Sequence, residues 1–306
     1  RAGLVVLPEF SADVTSASMI DVLTREESYQ LARDNEGWFM EERGRFPVRR
    51  QSLADLSEAL SAMVYTREMT RDPRKFDQLG LGDPREGGAG ALMRVSNDKG
   101  EKLVDLIVGF KTGKAYVRHP DEQTTWAVDT TAFPPLQRAA RWLDLYVIDL
   151  PESAIAQVEV TPWDGETYTL LAKEDEVGEF KLAPPYEDTA LIADYAANPP
   201  ALSLSRFAPI DVIPLEDLDA ESVGVHRTLT YAGLMIEAEM FRRDQRYWVV
   251  FSEGLEQDTP EAQSMLEDLE AKLVGWAFEI SRMDFAIMTT PLNDIVAGEL
   301  PETATP

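Results

Sequence analysis

Two stretches of this chain spell the same short β pattern. "MIDVL" (19–23), "ESYQLA" (27–32) and "GWFME" (37–41) follow one another with Asn35-Glu36-Gly37 as punctuation. "AIAQVEV" (154–160), "ETYTLLA" (166–172) and "GEFKLAP" (178–184) repeat the order roughly 135 residues later, with Asp164-Gly165 at the first turn. Alternating apolar and polar residues over four to eight positions fit a half-buried strand, and Gly, Asn and Asp between them fit tight turns. The closest correspondence sets "EESYQL" against "GETYTL", which aligns Tyr29 with Tyr168 and Leu31 with Leu170. "VGWAFEI" (274–280) also carries a Gly-aromatic step but has no tyrosine strand before it, so it is not a third copy. A chain that writes one meander twice is expected to be a diverged tandem duplication. A repeat this long marks a duplicated domain, not a solenoid.

Between the meanders the period changes. In "SLADLSEALSAMVY" (52–65), Leu53, Leu56, Leu60, Met63 and Val64 recur at helical spacing, and Ser52 with Asp55 resembles a capping box. "DPRKFDQLG" (72–80) predicts a shorter helix with Asp72 as cap, Pro73 in the first turn and Gly80 as stop. "ALMRVS", "EKLVDLIVG", "KAYVRH" and "TTWAVD" then predict four antiparallel strands over 91–129. "PPLQRAARWLDLYVIDLP" (134–151) predicts a short amphipathic junction helix bracketed by prolines. After the second meander a helix is expected in "EDTALIADYAAN" (187–198), and strands in "GVHRTLTYAG", "LMIEAEMFR" and "RYWVVFS". The acidic tail from Glu253 predicts a helix in "TPEAQSMLEDLEAKL", the "GWAFEI" step, a last helix through "MDFAIMTTPLNDIVA" and a frayed end in "GELPETATP". Trp276, Phe278, Phe285 and Ile287 need burial, so the tail is expected to fold back on the second repeat.

The fold expected is therefore α+β: a tandem duplication of an antiparallel β-meander-plus-helix unit with a C-terminal helical segment. The boundaries are 1–133 for the first repeat, 134–151 for the junction, 152–252 for the second repeat and 253–306 for the acidic segment packing on it.

Charge narrows the partners. Twenty-nine Lys and Arg against fifty-five Asp and Glu leave a net charge of −26, which repels phosphate backbones and argues against nucleic acid. There is no cysteine, so thiol nucleophiles, disulfides and Cys-ligated metals are excluded, and the composition suits an oxidising compartment. No stretch approaches the ~20 apolar residues of a membrane span.

The motifs that suggest chemistry fail on detail. "GFKTGKA" (109–115) has three residues between its glycines where a phosphate loop has four, and Ala115 stands where the hydroxyl belongs, so it reads as a hairpin turn. "LGLGDPREGGAG" (79–90) never spells a dinucleotide fingerprint and reads as a connector. His119 and His226 are the candidate general bases, but neither has a second His at metal-ligand spacing and no nucleophile elbow occurs. The acidic clusters follow no calcium-loop pattern, and no catalytic, cofactor or metal residue is assigned. Of six tryptophans, Trp163 is expected at an exposed hairpin tip, and Trp163 with Asp164 is the candidate binding pair.

The order of these motifs resembles a family. "LVVLPEF", "MIDVLTREESYQLARDNEGWFMEERGRFPV", "TRDPRKFDQLGLGDP", "LVDLIVGFKTGKAYVRH", "RWLDLYVIDLP", "IAQVEV" and "GWAFEI", in that order, are similar to the bacterial domain-of-unknown-function family 4340. Its members often stand beside gliding-motility-type ABC transporter components. The resemblance implies a non-enzymatic accessory or scaffold protein at the periplasmic face of the inner membrane, with membrane transporter or auxiliary subunits as protein partners and no cofactor. It also implies an N-terminal anchor, which these residues lack. Two alternatives stand beside it: a carbohydrate- or cell-envelope-binding module using exposed aromatics, and a hydrolase using acidic residues.

Overall fold

The computed structural model describes residues 1–298; most of the expected frayed end, 299–306, lies outside them. The chain divides into two compact units, Arg1–Asp144 and Leu145–Pro306, so the boundary falls inside the 134–151 junction. Each unit is built on one antiparallel sheet with few helices.

In the first unit the strands are β1 (Ala17–Leu23), β2 (Ser28–Arg33), β3 (Trp38–Met40), β4 (Phe46–Pro47), β5 (Val64–Glu68), β6 (Ala91–Asn97), β7 (Lys102–Lys111), β8 (Lys114–Arg118) and β9 (Trp126–Asp129). Their order is β4-β3-β2-β1-β6-β7-β8-β9-β5. The helices are α1 (Phe10–Asp13) and α2 (Arg50–Ala62). Alternation along β1, β2 and β6 places Ile20, Val22, Tyr29, Leu31, Met93 and Val95 in the core, as expected for strands with one face in water. α2 buries Ser52, Leu56, Ala59 and Leu60. Ser52 is not its cap: the helix begins at Arg50, Arg49 precedes it in an extended conformation, and Ser52 Oγ accepts from Arg49 Nε instead. Val64, counted in the helical pattern of the sequence, opens β5; β-branched Val64 and aromatic Tyr65 pair with β9 at the sheet edge.

Pro73–Leu79 forms a 3-10 turn capped by Asp72 and closed by Gly80 at φ +68°, where glycine pays no steric cost. It seats Phe76 and Leu81 against Leu92, Ile107 and Tyr116. The glycine-rich connector has a packing reason as well: a Cβ on Gly109 would lie 2.3 Å from the Gly80 carbonyl oxygen, so this loop crosses β7 in backbone contact. The junction helix expected over 134–151 is reduced to one 3-10 turn, Ala139–Trp142. Trp142 is buried and donates its indole N–H to Tyr29 Oη, which donates to the Leu136 carbonyl. Prolines at 134 and 135 withhold backbone donors, and tertiary contacts then set the path.

In the second unit the strands are β10 (Ile155–Thr161), β11 (Tyr168–Ala172), β12 (Phe180–Leu182), β13 (Asp211–Pro214), β14 (Glu221–Thr230), β15 (Leu234–Arg243), β16 (Arg246–Leu255) and β17 (Trp276–Ile280), in the order β12-β11-β10-β14-β15-β16-β17-β13. Among the described residues three helices accompany them: α3 (Asn198–Ala201), α4 (Pro260–Leu273) and α5 (Arg282–Met288). The helix expected at 187–198 does not form. That segment runs in turns, with Leu191 bridged to Val296 and Ile192 N–H bonded to the Ile295 carbonyl, so its backbone is satisfied by the tail instead of by itself. α4 is capped by Thr259, whose hydroxyl accepts from Ala262 N–H. The "GWAFEI" step is β17, hydrogen-bonded between β16 and β13, with Phe278 and Ile280 buried. The tail is thus an interior part of the second sheet. The last helix stops at Met288, short of the stretch expected from the sequence.

Candidate functional site

A groove of about 660 Å³ lies at the rim of the first unit's sheet, where β8 begins and β9 ends. The β7–β8 hairpin turns on Thr112 and Gly113, both at positive φ, as a two-residue hairpin requires. That turn sets Phe110 opposite Ala115, and Ala115 and Tyr116 pair with Val128 and Ala127 of β9. Beyond β9 the chain passes through Thr130, whose hydroxyl donates to the Ala59 carbonyl of α2, and delivers Phe133 to Phe110 with ring centroids 5.7 Å apart and planes tilted by 51°. β5 supplies Thr66 and Arg67. Phe110 is 46% exposed, well beyond what a core phenylalanine would be.

The electrostatics of the groove stand against those of the chain. Arg67 and Lys114 line it, Lys111 pairs with Lys114 across the hairpin, and Asp129 is the one acidic residue of the lining. Among the described residues neither Arg67, Lys111 nor Lys114 forms an ion pair. By contrast Arg94, Arg227 and Arg246 on the two sheets each hold a carboxylate. In a chain of net charge −26, Arg67 and Lys114 without ion-pair partners, beside exposed Phe110 and half-buried Phe133, form a surface with something left to bind.

The residues singled out by sequence lie elsewhere. Trp163 is 65% exposed on the β10–β11 connection with Asp164 beside it, and neither lines this groove. His119 Nε2 lies 2.9 Å from Tyr65 Oη, next to an Arg1–Glu122 ion pair. His226 is fully buried, and its Nε2 is 3.0 Å from Ser203 Oγ, the spacing of a Ser–His pair. It is not set up as a base. The same Nε2 is 2.8 Å from the Pro200 carbonyl, so it must carry the proton and donate. The remaining lone pair is on Nδ1, which is buried and has no hydrogen-bond partner. Burial lowers the imidazole pKa to about 4, which keeps the ring neutral. Ser203 Oγ also contacts the Pro200 carbonyl, at 3.0 Å, so the hydroxyl is occupied structurally.

Arg118 is a second buried polar group without a chemical role in view. Its guanidinium is held by the carbonyls of Pro120 and Glu122 and lies 4.8 Å over the Phe76 ring. Desolvation lowers its pKa, and the arrangement fixes the 119–122 turn. Among the described residues no cluster of three or more His, Asp and Glu side chains is arranged to hold a metal.

Sheet, groove and cation pattern together define a two-unit α+β protein with a surface concavity. The chain belongs to the family described as a domain of unknown function (DUF4340), whose model matches residues 38–225, more than half of the chain and parts of both units. No curated protein and no solved structure matches it. Among the described residues no helix is long and apolar enough to cross a membrane.

Proposed function

We propose that the protein is a non-enzymatic accessory module that docks protein partners through the groove of its first unit, on the periplasmic side of the inner membrane, in a gliding-motility-like ABC transport system. The observation that carries the docking role is the groove itself: exposed Phe110 and half-buried Phe133 beside Arg67 and Lys114, which have no ion-pair partner among the described residues, on a strongly acidic chain. The location and the transport context rest on the family resemblance, and a cysteine-free composition suits an oxidising compartment. The engaged Nε2 of His226 supports a role without catalysis.

We also propose that the two units are a tandem duplication. Support comes from register. In the first sheet Asp21, Arg94 and Asp105 stand side by side across β1, β6 and β7; in the second, Glu159, Arg227 and Glu237 do so across β10, β14 and β15. Buried Tyr29 and Tyr168 occupy like places on β2 and β11, and each donates its hydroxyl to a carbonyl downstream of its last strand, Leu136 and Thr290 respectively.

The docking role is tested with a photo-crosslinking residue at Phe133 in the full-length protein in its own cells. The expected result is a discrete adduct with a membrane transport subunit, lost when Ala115→Tyr fills the groove. A protein present in the membrane fraction that yields no adduct from this position would remove the proposal. The second reading, a carbohydrate- or envelope-binding module, is favoured by the exposure of Trp163 beside Asp164. Titration of tryptophan fluorescence with envelope glycans tests it, and a Trp163→Ala variant that responds as the parent does would set it aside.

A further inference from the structure

The second sheet carries, at positions in register with the groove, a filled version of it. Both sheets have a two-residue hairpin at this place, Thr112-Gly113 and Asp244-Gln245, each at positive φ. Counting from the hairpins, Lys114 corresponds to Arg246, Ala115 to Tyr247, Tyr116 to Trp248 and Ala127 to Glu279. In the second unit Tyr247 stacks on Phe285 with ring centroids 4.1 Å apart and planes 19° from parallel, and Arg246 pairs with Glu279 at 3.5 Å. In the first unit alanines stand at the places of the tyrosine and the glutamate. Phe133, which follows β9 as Phe285 follows β17, is left beside Phe110, and Lys114 forms no ion pair among the described residues, although Asp129 shares the lining. The groove lies where two side chains present in one unit are replaced by alanine in the other.

We infer that the partner supplies what the alanines withhold: an extended protein segment carrying an aromatic ring and a carboxylate, the ring packing on Phe133 and Phe110 and the carboxylate pairing with Lys114 or Arg67. This rests on the docking role proposed above and names the chemistry of the docked segment. Ring stacking and short-range pairing with a cation are the interactions that the second unit already makes internally. A chain of net charge −26 repels anions at long range, so the carboxylate contact is a local one, read better by charge reversal than by salt dependence.

The experiment uses the full chain and three short fluorescein-labelled peptides differing only in two positions: Tyr with Glu, Tyr with Lys, and Ser with Glu. The expected result is saturable binding of the Tyr–Glu peptide. Replacing either Tyr or Glu weakens it roughly tenfold or more. On the protein, Ala115→Tyr abolishes binding, and Lys114→Glu with Arg67→Glu shifts preference to the Tyr–Lys peptide. The charge-reversed variant, exposed on the surface, keeps the test valid if Ala115→Tyr fails to fold. Equal binding of all three peptides, binding of none, or a charge reversal without a change of preference overturns the inference. Those outcomes leave the docking role standing if the Phe133 crosslink still captures a transport subunit, and a missing crosslink removes both.

Discussion

His226 shows how a single residue can mislead and inform at once. In register on the first sheet its place is held by Met93, which pairs with Val22 as His226 pairs with Val160. An imidazole in a core position accepts burial only in its neutral form. Its pKa falls from 6.5 to about 4, so the unfolded chain binds a proton that the folded chain does not. The stability this protects is complete above pH 6.5 and is lost as pH falls towards 4, by about 3 kcal/mol across the window. A His226→Met variant, with the residue of the matching position, is expected to lose that part of the pH dependence in denaturation curves recorded between pH 7 and 4. An unchanged slope would mean that the ring is not buried neutral. The groove residues teach the opposite lesson. Ala115 and Ala127 carry no chemical signature, so no motif search could have marked them. The signal is comparative: where the second unit has Tyr247 and Glu279, the first has alanine at the positions in register.

At the scale of elements, alternation is what made the strands readable. The meanders and the four strands over 91–129 stand where the period of two placed them, and the "GFKTGKA" hairpin turns at Thr112-Gly113. The differences from the sequence reading have physical causes. Short edge strands, such as Val64–Glu68 and Asp211–Pro214, are too brief to show a period; Val64 continues the apolar spacing of the neighbouring helix, and Asp211–Pro214 carries no alternation. The 187–198 segment has helical spacing, but long-range backbone bonds to Ile295 and Val296 decide its path. β17 was written in the tail and belongs to the sheet interior. Truncation after Glu253 therefore removes a strand with partners on both sides, together with α4, which covers β16. The expected outcome is loss of hydrogen-exchange protection throughout β13–β16, seen by mass spectrometry. A truncated chain that keeps this protection would show that the tail is dispensable to the sheet.

At the scale of the molecule, two units built on antiparallel sheets differ at the rim: the second has it filled by Tyr247 and Phe285, and the first leaves it open. The family match, residues 38–225, runs across the boundary between the two units. Net charge of −26 discourages indiscriminate anion binding, while the groove offers a local exception lined by Arg67, Lys114, Phe110 and Phe133. A binding role for this rim is the central claim. Its most direct test is hydrogen exchange of the full-length chain with and without detergent-solubilised membranes from cells lacking the chromosomal copy. The prediction is added protection confined to 64–68, 110–116 and 126–133. Protection centred on the β10–β11 tip around Trp163, or none in the first unit, would contradict the account.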